Sequence, residues 1–401
     1  MRNYKLVCCK CGHIEEKEPA YKCRKCGKIL SFEYDFLPGD YQNRPGEPGI
    51  FQFADVLPVE QPYENCSLEE GNTALVKAVR LSKKFRLEHL SFKLESLNPS
   101  ASFKDRALAV AVNCMKRLRI PKAVIASSGN ASAAAATYAA RADLDMIAIV
   151  PETTPDNKVQ QAVCHGAKVV KVPGPFSASL ALAKQTAAET GWLDLTTTFN
   201  CPYAREGYKT IGYELYEQMK HKVPDWIVLP TGDGPILAAV YQAYSELKMM
   251  GLVEQIPKLV CVQAEHCGPI AKAFLDGTPV QACKDAKTTL ASGINDSLEG
   301  YTDDGDFTVA CIRNSGGTAV LLTEEDIAQS VRLLALEGIY AEPAAAVSAV
   351  AIEKLCAQGV IQPKDCVVGV VTGHGLKNPL VQESAAKVVT NVSELIAAVE
   401  N

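Results

Sequence analysis

The fold class is indicated most clearly by residues 123–150, which read AVIASSGNASAAAATYAARADLDMIAIV. A short apolar segment at 123–126 predicts a strand, an alanine-rich segment at 131–142 predicts a helix, and a second apolar segment at 146–150 predicts another strand. A helix over Asn157–Cys164 and a strand over Lys168–Val172 continue the pattern. Strands that alternate with helices are typical of a parallel sheet covered by helices.

The same alternation returns in the second half of the chain. We predict there strand Trp226–Leu229, helix Pro235–Met249, strand Leu259–Gln263, helix Pro269–Leu275, helix Glu324–Glu337, helix Ala344–Ala357 and strand Val367–Val371. The fold class is therefore α/β, with two doubly wound units. The predicted division is a ribbon-like segment at 1–35, an arm with the first part of the large domain at 36–95, a small α/β domain at 96–200 and a large α/β domain at 201–401.

Composition excludes several classes of function. The 401 residues include 41 basic and 46 acidic side chains, for a net charge of −5. The chain therefore has no excess of positive charge with which to bind the phosphates of a nucleic acid. No apolar run approaches the roughly 20 residues of a membrane span, and the N-terminus has no secretory pattern. We therefore expect a cytoplasmic protein with neither a nucleic acid nor a membrane partner.

The first thirty residues contain two Cys-x-x-Cys pairs separated by eleven residues, Cys8 with Cys11 and Cys23 with Cys26. This spacing is typical of a zinc ribbon, in which four thiolates surround the metal and leave no open coordination position. The sequence therefore predicts a structural zinc site. A ribbon that no longer binds metal is the alternative.

Residues 31–70 contain five prolines and little periodicity. They predict an extended arm that lies on the surface of the domains that follow.

A glycine turn, Thr231–Pro235, lies between a predicted strand and a predicted helix. The free amides of a helix N-terminus favour an anion such as phosphate, although a plain turn explains the same pattern. The turn Ser127–Ser132 occupies the same kind of position, and its hydroxyl groups and amides suit a carboxylate. A generously capped helix is the alternative there.

Lys104 lies at the N-terminal edge of a helix predicted over Arg106–Met115, after a strand predicted over Leu90–Leu94. A cation is disfavoured at the positive end of the helix dipole, so this position suggests a lysine with a lowered pKa. Such a lysine reacts readily with an aldehyde, and an aldehyde that carries phosphate would match the glycine turn. A solvated surface lysine is the alternative interpretation.

Four motifs in colinear order give a specific resemblance. These are Ser102-Phe103-Lys104-Asp105-Arg106, Ser128-Gly129-Asn130, Glu342-Pro343-Ala344 and Thr372-Gly373-His374-Gly375-Leu376-Lys377. Together they resemble threonine synthase, in the tryptophan-synthase-β-like class of pyridoxal phosphate (PLP) enzymes, from about Glu70 to Pro379. The resemblance implies two three-layer α/β domains of that fold, and a homodimer.

The resemblance also implies the roles of the site residues. Lys104 would bind PLP covalently and then move the proton at the substrate Cα, Asn130 would hydrogen-bond the pyridine O3′, and Thr372 would face the pyridine nitrogen. The cofactor phosphate would be held by the backbone of Thr231, Gly232, Asp233, Gly234, Ile236 and Leu237. The substrate carboxylate would be received by Ser127, Ser128, Ala131 and Ser132.

The departures from the family pattern concern the substrate. Residues 288–295 lack the arginine motif with which threonine synthases commonly hold the substrate phosphate. Either Arg205, Arg313 or Lys377 replaces it, or the small-molecule amino-acid substrate has no phosphate. We expect an enzyme that converts O-phosphohomoserine and water to threonine and phosphate. The alternatives are an O-phosphoserine β-replacement enzyme similar to cysteate synthase, a threonine or serine ammonia-lyase and, in a different class, a cofactor-free scaffold whose ribbon binds a partner.

Overall fold

The computed structural model describes residues 3–174, 176–380 and 388–395. Its strands are β1 Tyr4–Cys8, β2 Ile14–Glu15, β3 Leu30–Tyr34, β4 Leu75–Lys77, β5 His89–Leu94, β6 Lys122–Ala126, β7 Asp145–Pro151, β8 Lys168–Val172, β9 Leu193–Asp194, β10 Trp226–Pro230, β11 Lys258–Ala264, β12 Thr318–Leu322 and β13 Cys366–Val371. Its α-helices are α1 Arg80–Phe85, α2 Lys104–Arg117, α3 Asn130–Arg141, α4 Asp156–Cys164, α5 Phe176–Thr190, α6 Pro202–Gln218, α7 Pro235–Met249, α8 Pro269–Asp276, α9 Thr302–Asn314, α10 Glu324–Leu336, α11 Pro343–Ala346 and α12 Ser348–Ala357.

These strands form three sheets. The ribbon is an antiparallel sheet with the order β2-β1-β3. A four-stranded parallel sheet has the order β8-β7-β6-β9, and a six-stranded sheet has the order β12-β11-β10-β13-β5-β4, in which only the edge strand β4 runs antiparallel. The two larger sheets confirm the predicted α/β class with two doubly wound units.

Strand β10 shows why the large sheet is parallel and covered. All five of its residues are buried, and it pairs in parallel with β11 and β13. A strand that is apolar on both faces requires a helical layer on each side, and the alternating helices of the sequence supply these layers. No helix in the described ranges is both long and apolar enough to cross a membrane.

The long helices α2 and α6 pack closely against each other. A Cβ atom at Gly207 would overlap the backbone carbonyl of Arg106, so only glycine permits this approach. The Arg106 side chain is fully buried, and its Nε lies 2.7 Å from Glu95 Oε2 while its Nη1 lies 2.9 Å from Glu214 Oε2. Lys93 also pairs with Glu214. This buried charge network fixes the start of α2, where Lys104 lies.

The prediction of an extended surface arm at 31–70 is wrong for its central part. Residues Gly49–Val56 form a 3₁₀ helix, and Ile50 and Phe51 are completely buried. The ring of Phe51 stacks on that of Tyr63 at a centroid distance of 4.7 Å. The prolines predicted an extended arm on the surface, but the apolar run between Pro48 and Pro58 packs into the core of the molecule.

The helix predicted at Ala344–Ala357 is two helices. The structure has α11 and α12 in its place, and Val347 lies between them. Glu342, which precedes α11, lies where β13 ends, because its amide donates to the Gly373 carbonyl at 3.3 Å.

Candidate active site

A cavity of about 930 Å³ lies where the strands of both large sheets end. It is lined by the N-terminus of α2 and by the turns that follow β6, β10 and β13. The carboxyl ends of parallel strands are where open α/β sheets bind ligands. The N-terminus of α2 and the turns after β6 and β10, which the sequence singles out, thus meet in one site although they lie far apart along the chain.

Lys104 is the first residue of α2 and lines this cavity. Its Nζ donates a hydrogen bond to Thr197 Oγ1 at 2.8 Å and lies 4.6 Å from the ring centroid of Phe103 and 5.2 Å from that of Tyr208. Desolvation lowers the pKa of Lys104 to about 8, against the opposing charge of Asp233. The position of Lys104 thus agrees with a reactive amine and not with a solvated surface lysine.

The glycine turn after β10 forms an open cradle at the N-terminus of α7. Gly234 has φ +107°, and a Cβ atom there would collide with the side chain of Thr308. Gly232, Asp233, Gly234 and Ile236 line the cavity, whereas Leu237 is buried behind it. The amide of Thr231 donates to the carbonyl of Val262 at 2.9 Å and is therefore engaged within the sheet. An anion in this cradle would therefore meet the amides of the turn and not the amide of Thr231.

Asp233 places a carboxyl group in this cradle. Burial, reinforced by the charge of Asp296, raises its pKa well above the usual range. Its Oδ2 is buried without a hydrogen-bond partner in the described part of the chain. Burial thus disfavours the charged form of Asp233, which is the form that would repel a phosphate.

Asn130 is the first residue of α3, and its Nδ2 donates to Glu342 Oε1 at 2.7 Å. Glu342 is buried, and burial raises its pKa. Thr372, directly after β13, lines the same cavity, and its carbonyl accepts a hydrogen bond from the amide of Phe103 at 2.9 Å. These two bonds join the four sequence motifs in pairs, and the Glu342 amide links the pairs by donating to the Gly373 carbonyl at 3.3 Å.

The serine-rich turn after β6 contributes three of its four predicted residues to the cavity. Ser127, Ser128 and Ala131 line it, with their amides near the N-terminus of α3. Ser132 is buried and lies outside the lining, and its hydroxyl has no partner among the described residues. The predicted contact of Ser132 with the substrate carboxylate therefore stays a prediction.

The three residues that were candidates to bind a substrate phosphate lie in very different places. Arg205 is buried between the rings of Phe199 and Phe307, outside the cavity. Arg313 lies exposed in the last turn of α9. Lys377 lines the cavity, and its Nζ donates to Gln161 Oε1 at 2.6 Å and to the Ser100 carbonyl at 3.0 Å. Of these candidates, Lys377 is the one positioned to meet a substrate.

Several lining residues were not predicted from the sequence. They are Thr197, which accepts the hydrogen bond of Lys104, Asp296 and Tyr301, which bond each other at 2.7 Å, and Lys158 on α4. Thr197 belongs to a threonine run that follows the two-residue strand β9. A polar run after a strand was the available signal, but a strand of two residues has no recognisable periodicity.

The four ribbon cysteines form a compact cluster away from the cavity. The sulfur atoms of Cys8, Cys11, Cys23 and Cys26 all lie within 4.8 Å of one another. Cys8 and Cys26 are 3.4 Å apart, and Cys11 and Cys23 are 3.7 Å apart. This convergence of four thiol groups fits a tetrahedral metal site.

Known proteins provide an independent comparison. The family model for pyridoxal-phosphate dependent enzymes matches residues 66–373. Threonine synthase of Methanosarcina acetivorans is 38% identical over 382 residues, covering 94% of this chain and 93% of that protein. Threonine synthase of Mycobacterium tuberculosis is 32% identical over 359 residues, covering 89% and 95%.

Solved structures agree on the fold. Threonine deaminase isoform 2 of Solanum lycopersicum superposes with a TM-score of 0.66 at 20% identity, covering 91% of this chain and 98% of that one. Maize serine racemase gives a TM-score of 0.65 at 18% identity, covering 82% and 91%. The chain therefore belongs to the pyridoxal-phosphate-dependent enzymes and, within them, to the threonine synthase family. It is an enzyme, so the hypothesis of a cofactor-free scaffold is rejected.

Proposed function

We propose that this enzyme converts O-phosphohomoserine and water to threonine and phosphate, with PLP as its cofactor. One observation carries the proposal: the Lys104 amine, with its lowered pKa, faces the same cavity as the glycine cradle after β10. The full-length similarity to threonine synthases supports this particular reaction.

The residues of the cavity fit the cofactor. Lys104 would hold PLP covalently, the turn at Gly232 to Ile236 would receive its phosphate, and Asn130 and Thr372 would orient its ring. When bound, PLP withdraws electrons from the Cα of an attached amino acid, which makes the Cα proton removable. A lysine with a pKa near the working pH is suited to take that proton and return it elsewhere on the substrate. The hydroxyl of Thr372 does not keep a pyridine nitrogen protonated, and this favours elimination and replacement.

Other residues of the cavity wall would bind the carboxylate and the phosphate of the substrate. Ser127, Ser128 and the amide of Ala131 would receive the substrate carboxylate at the N-terminus of α3. Lys377 would meet the substrate phosphate, because its ammonium group lies between the loop before α2 and helix α4. Lys158 lines the cavity on the same helix, three residues from Gln161, and adds positive charge.

A second candidate function is a threonine or serine ammonia-lyase. It is favoured by the lining of the cavity, which includes no arginine among the described residues. The segment Thr289-Leu290-Ala291-Ser292-Gly293 is also similar to the corresponding segment of serine and threonine dehydratases, and its last two residues line the cavity.

A product assay separates these reactions. Purified protein with PLP is incubated with O-phosphohomoserine, O-phosphoserine with sulfite, threonine or serine, and threonine, phosphate, sulfonate and 2-oxo acids are measured. We expect threonine and phosphate in equal amounts from O-phosphohomoserine. Phosphate without threonine, or a 2-oxo acid from threonine at a greater rate, would contradict the proposal.

We further propose that the ribbon binds one structural zinc ion and that the enzyme is a cytoplasmic homodimer. The convergence of four thiol groups supports the metal, since tetrahedral thiolate coordination is what zinc prefers. Metal analysis of the purified chain tests for the zinc ion, and light scattering tests for the dimer. We also propose that the domains divide after residues 35, 95 and 200.

A further inference from the structure

We propose that the cysteine ribbon belongs to the cofactor site: Lys22 of the ribbon neutralises the charge of the buried Asp304, and this neutralisation lets the cradle formed by Asp233 and Gly234 bind a phosphate. The inference rests on the proposed function only in that the cradle binds the PLP phosphate. It makes Lys22 a positioning residue, distant from the reacting atoms.

The ion pair joins the ribbon to helix α9. Lys22 immediately precedes the cluster residue Cys23, and its Nζ lies 2.8 Å from Asp304 Oδ1. The Asp304 side chain is 3% exposed, whereas that of Lys22 is 26% exposed. Burial raises the pKa of Asp304, and Lys22, more than Lys184, opposes that shift, so Lys22 is the main group that favours the charged form of Asp304.

A hydroxyl group connects Asp304 to the cradle. Thr308 Oγ1 lies 3.0 Å from the Asp304 carbonyl oxygen and 3.1 Å from that of Asp233. The same Thr308 side chain leaves no room for a Cβ atom at Gly234. Helix α9 and the cradle are therefore in direct contact, and a shift of α9 would displace the turn.

The charge of Asp304 also reaches the cradle. Burial raises the pKa of Asp233 and of Asp296, and the Asp304 carboxylate that faces them raises both further. Lys104 and Lys184 are the other cations that face these acids. Without Lys22, an uncompensated carboxylate would lie close to the position where a phosphate has to bind, and the phosphate would be repelled.

The ribbon does not depend on Lys22 for its docking. The Ala20 amide donates to Tyr203 Oη at 3.1 Å, and the Asp194 amide donates to Tyr21 Oη at 2.8 Å. Tyr34 Oη also donates to Glu206 Oε2 at 2.7 Å. A substitution at Lys22 therefore leaves the attachment of the ribbon and its four cysteines in place.

The chain contains a matched control for the ion pair. Lys28, also on the ribbon, pairs with Asp303, the neighbour of Asp304 on α9. Asp303 is 52% exposed, so its charge is compensated by water when the lysine is removed. Lys28→Met thus removes the same charge from the same ribbon without leaving a buried carboxylate.

The test measures the affinity of the full chain for PLP by absorbance, in the absence of substrate, with metal content determined in parallel. We expect Lys22→Met to weaken PLP binding about tenfold and Lys28→Met to change it less than about twofold. Lys22→Arg should retain most of the affinity. The double variant Lys22→Met with Asp304→Asn should regain affinity, because it removes the uncompensated charge.

Equal PLP affinity in Lys22→Met and Lys28→Met would overturn the inference. So would a double variant that binds as weakly as Lys22→Met, since a purely structural contact is not repaired by removing its second partner. Should Lys22→Met fail to fold, Asp304→Asn alone decides: affinity within about threefold of the wild type supports the charge argument, and a loss of about tenfold contradicts it. The product assay on the wild-type chain tests the proposed function separately.

Discussion

The Nζ of Lys104 lies 2.8 Å from the hydroxyl of Thr197, 93 residues further along the chain. The hydrogen bond joins the first residue of α2 to the segment that follows β9. Because the threonine hydroxyl accepts this bond without carrying charge, it orients the amine and adds no carboxylate that would keep it protonated. Lys104 is thus held in place while desolvation keeps its pKa low.

The pH dependence of PLP capture follows from this arrangement. Only the neutral amine attacks the aldehyde, and the pKa of Lys104 is lowered to about 8. The rate of covalent capture, followed by absorbance in the metal-loaded apoenzyme, should rise with pH up to about 8 and remain level above it. Thr197→Val removes an acceptor of the ammonium form and should shift the midpoint to lower pH. A wild-type rate that continues to rise to pH 10 would contradict this.

Glu342 is expected to position Asn130. Its Oε1 accepts the Asn130 amide hydrogen at 2.7 Å, which fixes the side chain that would contact the cofactor ring. Glu342→Ala should weaken PLP affinity about tenfold and move its absorbance maximum, because a hydrogen bond to an acidic group contributes about 1.5–3 kcal/mol. The PLP affinity of Glu342→Gln should lie between those of the wild type and of Glu342→Ala, since the amide oxygen of glutamine still accepts the hydrogen bond. Unchanged spectra and affinity in both variants would exclude this role.

Lys377 is expected to determine the preference for a phosphorylated substrate. Lys377→Met should raise KM for O-phosphohomoserine about 10- to 100-fold and abolish competitive inhibition by inorganic phosphate, because a charge-assisted contact is lost. The measurement is steady-state kinetics with phosphate as inhibitor. Lys158→Met should have a smaller effect, since that side chain is exposed. Intact phosphate inhibition in Lys377→Met would place the subsite elsewhere.

The buried charge network of α2 should dominate the response of stability to mutation. Arg106→Met would leave Glu95 and Glu214 without their shared cation, and we expect a loss of about 3–5 kcal/mol in the free energy of unfolding. Burial opposes ionisation of Glu214, yet Arg106 and Lys93 hold its pKa at about 2. Its contribution is therefore present above about pH 4.5 and is lost as the pH falls towards 2. Denaturant titrations across pH test this, and a loss below about 1 kcal/mol would contradict it.

The sequence predicted those parts of the site that follow regular strands. The turns at Ser127 and Gly232 are recognisable because each follows a clear apolar run, whereas Thr372 is found through the resemblance to threonine synthases. The helices α5, α6 and α9 and the strands β9 and β12 were not predicted. Helix α6 illustrates the reason: fifteen of its seventeen residues, including Arg205 and Glu206, are buried, so no polar face gives it a helical period.

The contacts that complete the site could not be predicted from the sequence. Three of these contacts join residues that are far apart in the sequence: the hydrogen-bond partners of Thr197, Glu342 and Lys22 lie 93, 212 and 282 residues away. Such pairs depend on how the sheets and the ribbon pack against each other, and local periodicity carries no information about that packing. For the same reason the sequence could not show that Arg205, a candidate for binding the substrate phosphate, lies beneath the ribbon.

The most direct test is borohydride trapping followed by mass spectrometry. The full-length protein is incubated with PLP, reduced and digested, and the modified lysine is located, with Lys104→Ala as the control. We expect a pyridoxyl adduct on Lys104 in the wild type and its loss in the variant. An unmodified Lys104, or an adduct on another lysine that persists in Lys104→Ala, would contradict it.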